Sequence, residues 1–216
     1  MDIREALYTT RAMRRVKPDP IPEDVQMRLL DAAIRAPSGG NNQQWRFMLV
    51  DDGDQRAKLG ALYAECIDVL FATIYKDAAD AANTKDDPAS KQFKRIMNSV
   101  KWAQENFATY PLLLFAFDRA DPSGGSIFPA VWNAMLSARA DGVGSSLTSV
   151  LMFKKDETFE ILGVPEDKGW NMACCVPFGY PTGSWGVAKR NPVQDVSYRN
   201  SWGESVGFEV NEPLWP

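Results

Sequence analysis

Ala36-Pro37-Ser38-Gly39-Gly40-Asn41-Asn42-Gln43-Gln44-Trp45-Arg46-Phe47 lies between two opposite hydrophobic patterns. Before it, Pro22 to Arg35 carries Val25, Leu29, Ala32 and Ala33 at the spacing of one helical stripe. After it, Phe47-Met48-Leu49-Val50 is a short apolar run, and Trp45 to Asp51 reads as a strand. The stretch between them has no hydrophobic period. Its proline, adjacent glycines and small amides let a backbone turn sharply and bring N–H groups against a flat or anionic ligand. A plain helix-to-strand connection would also use such residues. Two features favour a binding loop: the polar run is long for a connection, and it ends in Gln43-Gln44-Trp45, where a large amphipathic ring follows two amides.

The totals narrow the chemistry. A chain of 216 residues that is 45% hydrophobic implies one domain, or two at most, with a sizeable core. A net charge of −4 gives no overall positive field to attract nucleic acid or an anionic membrane. Histidine is absent, which excludes a Ser-His-Asp triad, a Cys-His pair, histidine general-base work and histidine metal ligation within the chain. Cys66, Cys174 and Cys175 have neither disulfide-framework nor zinc spacing, so buried thiols in a reducing compartment and no metal site are expected. Met1-Asp2-Ile3-Arg4-Glu5 lacks a signal-peptide core, and no uncharged apolar window of about 18 residues exists. The expectation is a soluble cytoplasmic protein without nucleic-acid or membrane partners.

Taken in order, the chain alternates helical and strand patterns. Asp2 caps a short helix through Tyr8. Arg11-Ala12-Met13-Arg14-Arg15-Val16-Lys17 puts four cations within seven residues, closed by Pro18 and Pro20. It is a solvated basic turn or an anion site, since arginine offers paired planar donors to phosphate. Gly53 to Thr73 is a long amphipathic helix. Lys76 to Gln92 is small, polar and charged, unable to bury a core face, and reads as a linker or, preferably, a mobile lid insertion. Phe93 to Phe107 is again helical, and Tyr110 to Phe117 is a strand buried on both faces. Ile127 to Asp141 is apolar nearly all round and therefore central. Val143 to Met152 reads as a strand, Asp156 to Leu162 as a short helix and Trp170 to Phe178 as another strand. From Val193 on, Tyr198, Trp202, Phe208 and Trp215 follow no period, and such a C-terminal extension needs a second surface.

Ala36-Pro37-Ser38-Gly39-Gly40-Asn41-x-Gln43-x-Trp45-x-Phe47 resembles the flavin-binding loop of the nitroreductase family, with Gln44 where the family usually has proline. The resemblance extends over nearly the whole chain. The Arg11–Lys17 run before Pro18-Asp19-Pro20-Ile21-Pro22 is similar to the family's arginine-rich segment, although Ala12 and Val16 stand where serine and an aromatic are common. Gly179-Tyr180-Pro181 and Lys189-Arg190-Asn191-Pro192 resemble the turn and the cationic segment near its end. The resemblance implies an α+β fold, with a central, mostly antiparallel sheet wrapped by helices. It implies one FMN-binding domain over 1–216, within which composition marks the lid around 76–92 and the extension over 193–216. It further implies an intertwined homodimer with two FMN sites at its interface, and places the Ile127–Asp141 helix at the dimer core. FMN phosphate would meet Arg11, one of Arg14 and Arg15, and Arg190. Arg14 would face the flavin N1 and O2, with Ala12 and Met13 beside it. Leu147, Thr148 and Ser149 would supply the N5 donor, and Pro37, Ser38, Gly39 and Asn41 would floor or flank the ring.

No carboxylate falls in a catalytic motif, so the hard chemistry belongs to the cofactor and the protein positions it. The resemblance implies an enzyme working in ping-pong fashion: NADPH or NADH reduces FMN and leaves, and a small-molecule acceptor such as a nitroaromatic or quinone enters the same cavity. Reductive dehalogenation, ene reduction and oxygen-dependent flavin cleavage are alternatives within the family. A flavin-binding storage or sensor protein without turnover is an alternative of another class.

Overall fold

A computed structural model of the protein describes residues 1–215. The chain divides into two compact units: Arg11–Ser184, and Met1–Thr10 together with the segment from Trp185 onward. Among the described residues, no helix is long and apolar enough to cross a membrane.

The larger unit is built on four antiparallel strands in the order β1-β2-β4-β3: β1 Trp45–Val50, β2 Leu112–Asp118, β3 Gly144–Ser145 and β4 Asn171–Gly179. Strand side chains alternate between faces, and β2 shows why its sequence is apolar from Leu112 to Phe117. Leu113, Phe115 and Phe117 enter one core with Val50, Met172 and Cys175. Leu112, Leu114 and Ala116 enter the other with Trp45, Cys174, Val176 and Phe178. The first core is closed by α3 (Gly53–Ala72), α5 (Pro88–Asn106) and α7 (Lys155–Leu162). The second is closed by α2 (Glu23–Ala33) and α6 (Ile127–Ala140). The α+β expectation, an antiparallel sheet wrapped by helices, is met.

The lid stretch has defined secondary structure, and one local reading, the strand over Val143–Met152, needs correction. Lys76–Thr84 forms α4, and α5 begins at Pro88, with the Asp87 carboxylate accepting from the Ser90 N–H at 2.8 Å. The core-poor stretch is thus largely helical: alanines suit a helix, and Ala82 and Ser90 are buried. The strand expected over Val143–Met152 stops at Ser145 and gives way to a 3₁₀ turn at Val150–Lys154. Its interruption is imposed from across the sheet. Ser145 pairs with Phe178, and three residues on, in unchanged register, Thr148 and Cys175 exchange two backbone bonds of 2.9 and 2.8 Å. Between them Pro177 accepts from the Ser146 N–H at 3.2 Å but has no N–H to return.

Residues 11–17 run as a strap against this end of the sheet. The Met13 N–H donates to Ser145 O at 2.9 Å, the Thr182 N–H to Arg15 O at 3.0 Å, and the Lys17 N–H to Tyr180 O at 2.8 Å. The approach is close because two residues lack a β-carbon. A methyl at Gly144 would lie 2.8 Å from Met13 Cβ, and one at Gly179 would lie 2.6 Å from Val16 Cγ2.

In the smaller unit, α1 (Ile3–Thr9) is capped by Asp2, which accepts from the Glu5 N–H at 2.8 Å. Trp215 packs on Tyr8 at 6.0 Å between ring centres, so the end of the tail covers a helix of its own chain. Tyr198 and Ser205 pair across a turn, and Trp202 at its tip is 91% exposed.

The strap contact is testable by overpacking. Gly179→Ala should lower unfolding stability by about 1–3 kcal/mol, seen as a reduced urea midpoint at unchanged slope. Adding Val16→Ala should recover part of the loss, because residues in contact are not additive; fully additive losses would show that the contact does not set the cost.

Candidate functional site

One cavity of about 250 Å³ gathers sequence-distant residues: Arg14 from the strap, Ser146 to Val150 after β3, Pro177 from β4, and an aromatic and aliphatic wall. Tyr63, Ile67 and Leu70 of α3 form that wall with Tyr75, Ile96 and Val100, and with Phe107 and Tyr110 beyond α5. Tyr63 stacks on Phe107 at 4.0 Å, and Phe107 stands edge-on to Tyr110 at 5.7 Å.

The polar side of the cavity follows from the sheet edge. The Ser145 carbonyl uses its outer side to take Met13. The strap then diverges, and two and four residues on, the N–H groups of Leu147 and Ser149 meet no acceptor among the described residues. Two backbone donors are therefore presented at one cavity wall. Arg14 is half-buried, and its guanidinium has no hydrogen bond or ion pair among the described residues. Its charge is nevertheless felt by the hydroxyls of both Tyr63 and Tyr110. Burial pushes the deprotonation of Tyr63 and Tyr110 upward, more than these neighbouring groups lower it. Both hydroxyls stay protonated and able to donate.

The other arginines are placed differently. Arg11 is exposed, with Nη2 donating to Ser184 O at 3.1 Å. Arg15 lies over the Trp102 ring at 5.6 Å. Met13 is buried, its N–H and Cβ both engaged with the sheet end, while Ala12 is exposed. Arg190 belongs to the smaller unit and donates from Nη1 to Lys189 O at 3.1 Å.

The Ala36–Phe47 loop lines a second cavity of about 170 Å³, through Ser38, Gly39 and Asn42 to Trp45, with Asp118 to Asp121, Ser126 and Ile127. Pro37 and Asn41 are exposed and line neither cavity. Asn41 and Gln43 adopt φ of 53° and 49°, a left-handed conformation held by local bonds: Asn41 N–H to Ser38 O, and Gln43 N–H to Ser38 Oγ. Gln44, in the place of the family's usual proline, is held from outside the loop. Its carbonyl accepts from the Arg119 N–H at 3.0 Å and its side-chain oxygen from Arg119 Nε at 3.2 Å, so the amide ties the loop to β2. The N-terminus of α6 offers no anion site here, since Asp121 accepts from Ser126 N–H and Ile127 N–H, both at 2.9 Å. Tyr63, Tyr110 and Ser146 were not singled out by sequence. The one available signal was a tyrosine opening an otherwise apolar buried strand, since a buried phenol needs a partner.

The sequence model of the Nitroreductase family matches residues 7–180. The chain belongs to the nitroreductase family. Within it, the protein is 28% identical over 203 residues to a protein named NADH dehydrogenase from Thermus thermophilus, covering 91% of this chain and 95% of that one. It is also 28% identical over 222 residues to a 5,6-dimethylbenzimidazole synthase from Rhodospirillum rubrum, covering 97% and 90%. A Desulfitobacterium hafniense nitroreductase crystallised with bound FMN superposes with a TM-score of 0.67 at 18% identity, over 93% of this chain and 100% of that one. Nitroreductase-family membership and the nitroreductase fold are both as the loop motif implied.

The second cavity yields a pH prediction. Asp118 is 8% exposed, and burial, followed by the charge of Asp121, raises its pKa above 3.8. The folded chain then holds this proton more tightly than the unfolded chain. This contribution lowers stability as pH rises from about 3.8 through the raised folded value. Asp118→Asn should therefore raise the melting temperature at pH 7, and the gain should shrink as pH falls towards 4. A gain independent of pH in melts from pH 4 to 8 would contradict the assignment.

Proposed function

We propose that the protein is an FMN-dependent oxidoreductase that takes electrons from NADPH or NADH and passes them to a small planar acceptor, such as a nitroaromatic or quinone. The single observation carrying this reading is the convergence on one cavity of an uncompensated, half-buried guanidinium and two unpartnered backbone N–H groups. The cation at Arg14 and the donors at Leu147 and Ser149 suit the electron-rich pyrimidine and N5 edge of a flavin. The aromatic wall of Tyr63, Phe107 and Tyr110 offers apolar surface to a ring. FMN, when bound, would supply the hydride chemistry. The chain's own residues bind it, orient it and keep water from one side. Arg11, Arg15 and Arg190 are proposed for the phosphate end.

The active unit in this reading is a homodimer. Ser38 and Gly39 line a cavity separate from that of Arg14. A flavin flanked by both sets draws the loop from a second copy. Phe128 and Trp132, one turn apart on α6, are 42% and 38% exposed, an apolar face suited to such an interface. Trp202 and Phe208 of the extension are proposed to cover the partner, and 76–92 to act as a lid over the acceptor. Formation of 5,6-dimethylbenzimidazole is the second reading, supported by the likeness to the synthase over 97% of the chain.

Purified protein should release near-stoichiometric FMN by mass spectrometry, and NADPH or NADH should bleach it anaerobically. FAD, or no flavin after reconstitution, would reject the reading. Bleaching by neither nucleotide would favour storage or sensing, while dimethylbenzimidazole appearing on aeration of reduced protein would favour the second reading. Truncation after Pro192 should abolish dimer and FMN together in sedimentation and absorbance measurements; a shortened chain that stays dimeric and yellow would remove the tail from the interface.

A further inference from the structure

Tyr110 sits where the strap, the sheet end and the cavity wall meet. It is 1% exposed. Its ring is fixed edge-on by Phe107 at 5.7 Å and by Trp102 at 6.1 Å and 90°. A ring held from two sides can aim its hydroxyl in few directions. That hydroxyl donates to the Arg14 carbonyl at 2.7 Å, across 96 residues of sequence.

The bond matters because of what holds the neighbouring residues. Met13, Arg15 and Lys17 are each tied to Ser145, Thr182 and Tyr180 by backbone bonds. The Arg14 carbonyl has the Tyr110 hydroxyl as its one partner among the described residues. Arg14 is thus the link of the strap whose peptide orientation depends on a side chain, and it is the link whose guanidinium lines the cavity. Its neighbour Arg15 turns the other way, onto the same Trp102 that buttresses Tyr110.

We propose that Tyr110 is a positioning residue for Arg14, its hydroxyl fixing the strap so that the guanidinium stays aimed at the pyrimidine end of the bound cofactor. The inference rests on the FMN reading above. A fixed cation at that end favours the reduced, electron-rich form of FMN over the oxidised form, because its field is already oriented when charge arrives. A guanidinium free to swing into water loses part of that preference. The hydroxyl is suited to the task, since burial keeps it protonated, with Ser146 beside it.

Tyr110→Phe keeps the ring and its packing and deletes the donor alone. Oxidised FMN should remain bound near one per chain. The preference for reduced over oxidised FMN should fall about tenfold, which for two electrons is a drop of about 30 mV in midpoint potential by anaerobic titration. In an Arg14→Gln background, Tyr110→Phe should produce no further drop. FMN bound with an unchanged potential would overturn the inference and leave the FMN reading standing; wild-type protein that takes up no FMN would overturn both. An equal drop in the two backgrounds would overturn it as well, because Tyr110 would then act without Arg14. Should Tyr110→Phe not fold, Ser146→Ala alters the hydroxyl's surroundings with the phenol in place. It should lower the potential in the same direction by a smaller amount, and no change there would count against the proposal.

Discussion

Two absent β-carbons set the geometry on which the rest depends. Gly144 and Gly179 let residues 13 and 16 approach the sheet to distances that no side chain could share. The strap then lies in contact with the end of the sheet and satisfies its own polar groups there, at Ser145, Tyr180 and Thr182. Because it leaves the edge after Ser145, the next donors on that edge have no acceptor among the described residues. The cavity is thus a consequence of where a pairing stops, reinforced by a proline on the facing strand that can complete only half of a bonded pair.

The two tyrosines facing Arg14 are driven further from ionisation by burial. With no histidine in the chain, nothing beside Arg14 switches between acid and neutral conditions. The site is built to hold one electrostatic state rather than to respond.

What could be read from sequence was what is local. The apolar run of β2 announced a strand covered on both sides, and the two cores divide its residues as alternation requires. The loop ending in Trp45 and the arginine run were each visible as binding elements. Their assignment to separate cavities was not, because it depends on how α2, β1 and α6 are packed. The end of β3 was illegible since its cause, Pro177, stands about thirty residues away on a partner strand. Tyr110 read as one more apolar residue, its polar role fixed by a carbonyl 96 positions distant. Gln44 stands where the family usually has proline, and what holds it, Arg119, is 75 residues away in the sequence. In 76–92, composition reported poor burial correctly for most residues but could not separate a loop from an alanine-bearing helix that exposes most of its surface.

The unpaired N–H groups at Leu147 and Ser149 have a second meaning as a length of open β-edge. An open edge is a template on which any extended chain can add itself. The opposite edge strand, β1, carries the exposed, charged Arg46, whose guanidinium lies over the Trp170 ring at 4.9 Å, and a charge on an edge strand discourages such addition. At the β3 side the guard is the strap as far as Ser145, and beyond it only what fills the cavity. A ligand seated there would also cover this edge, and without one its two donors would stay open to an added strand.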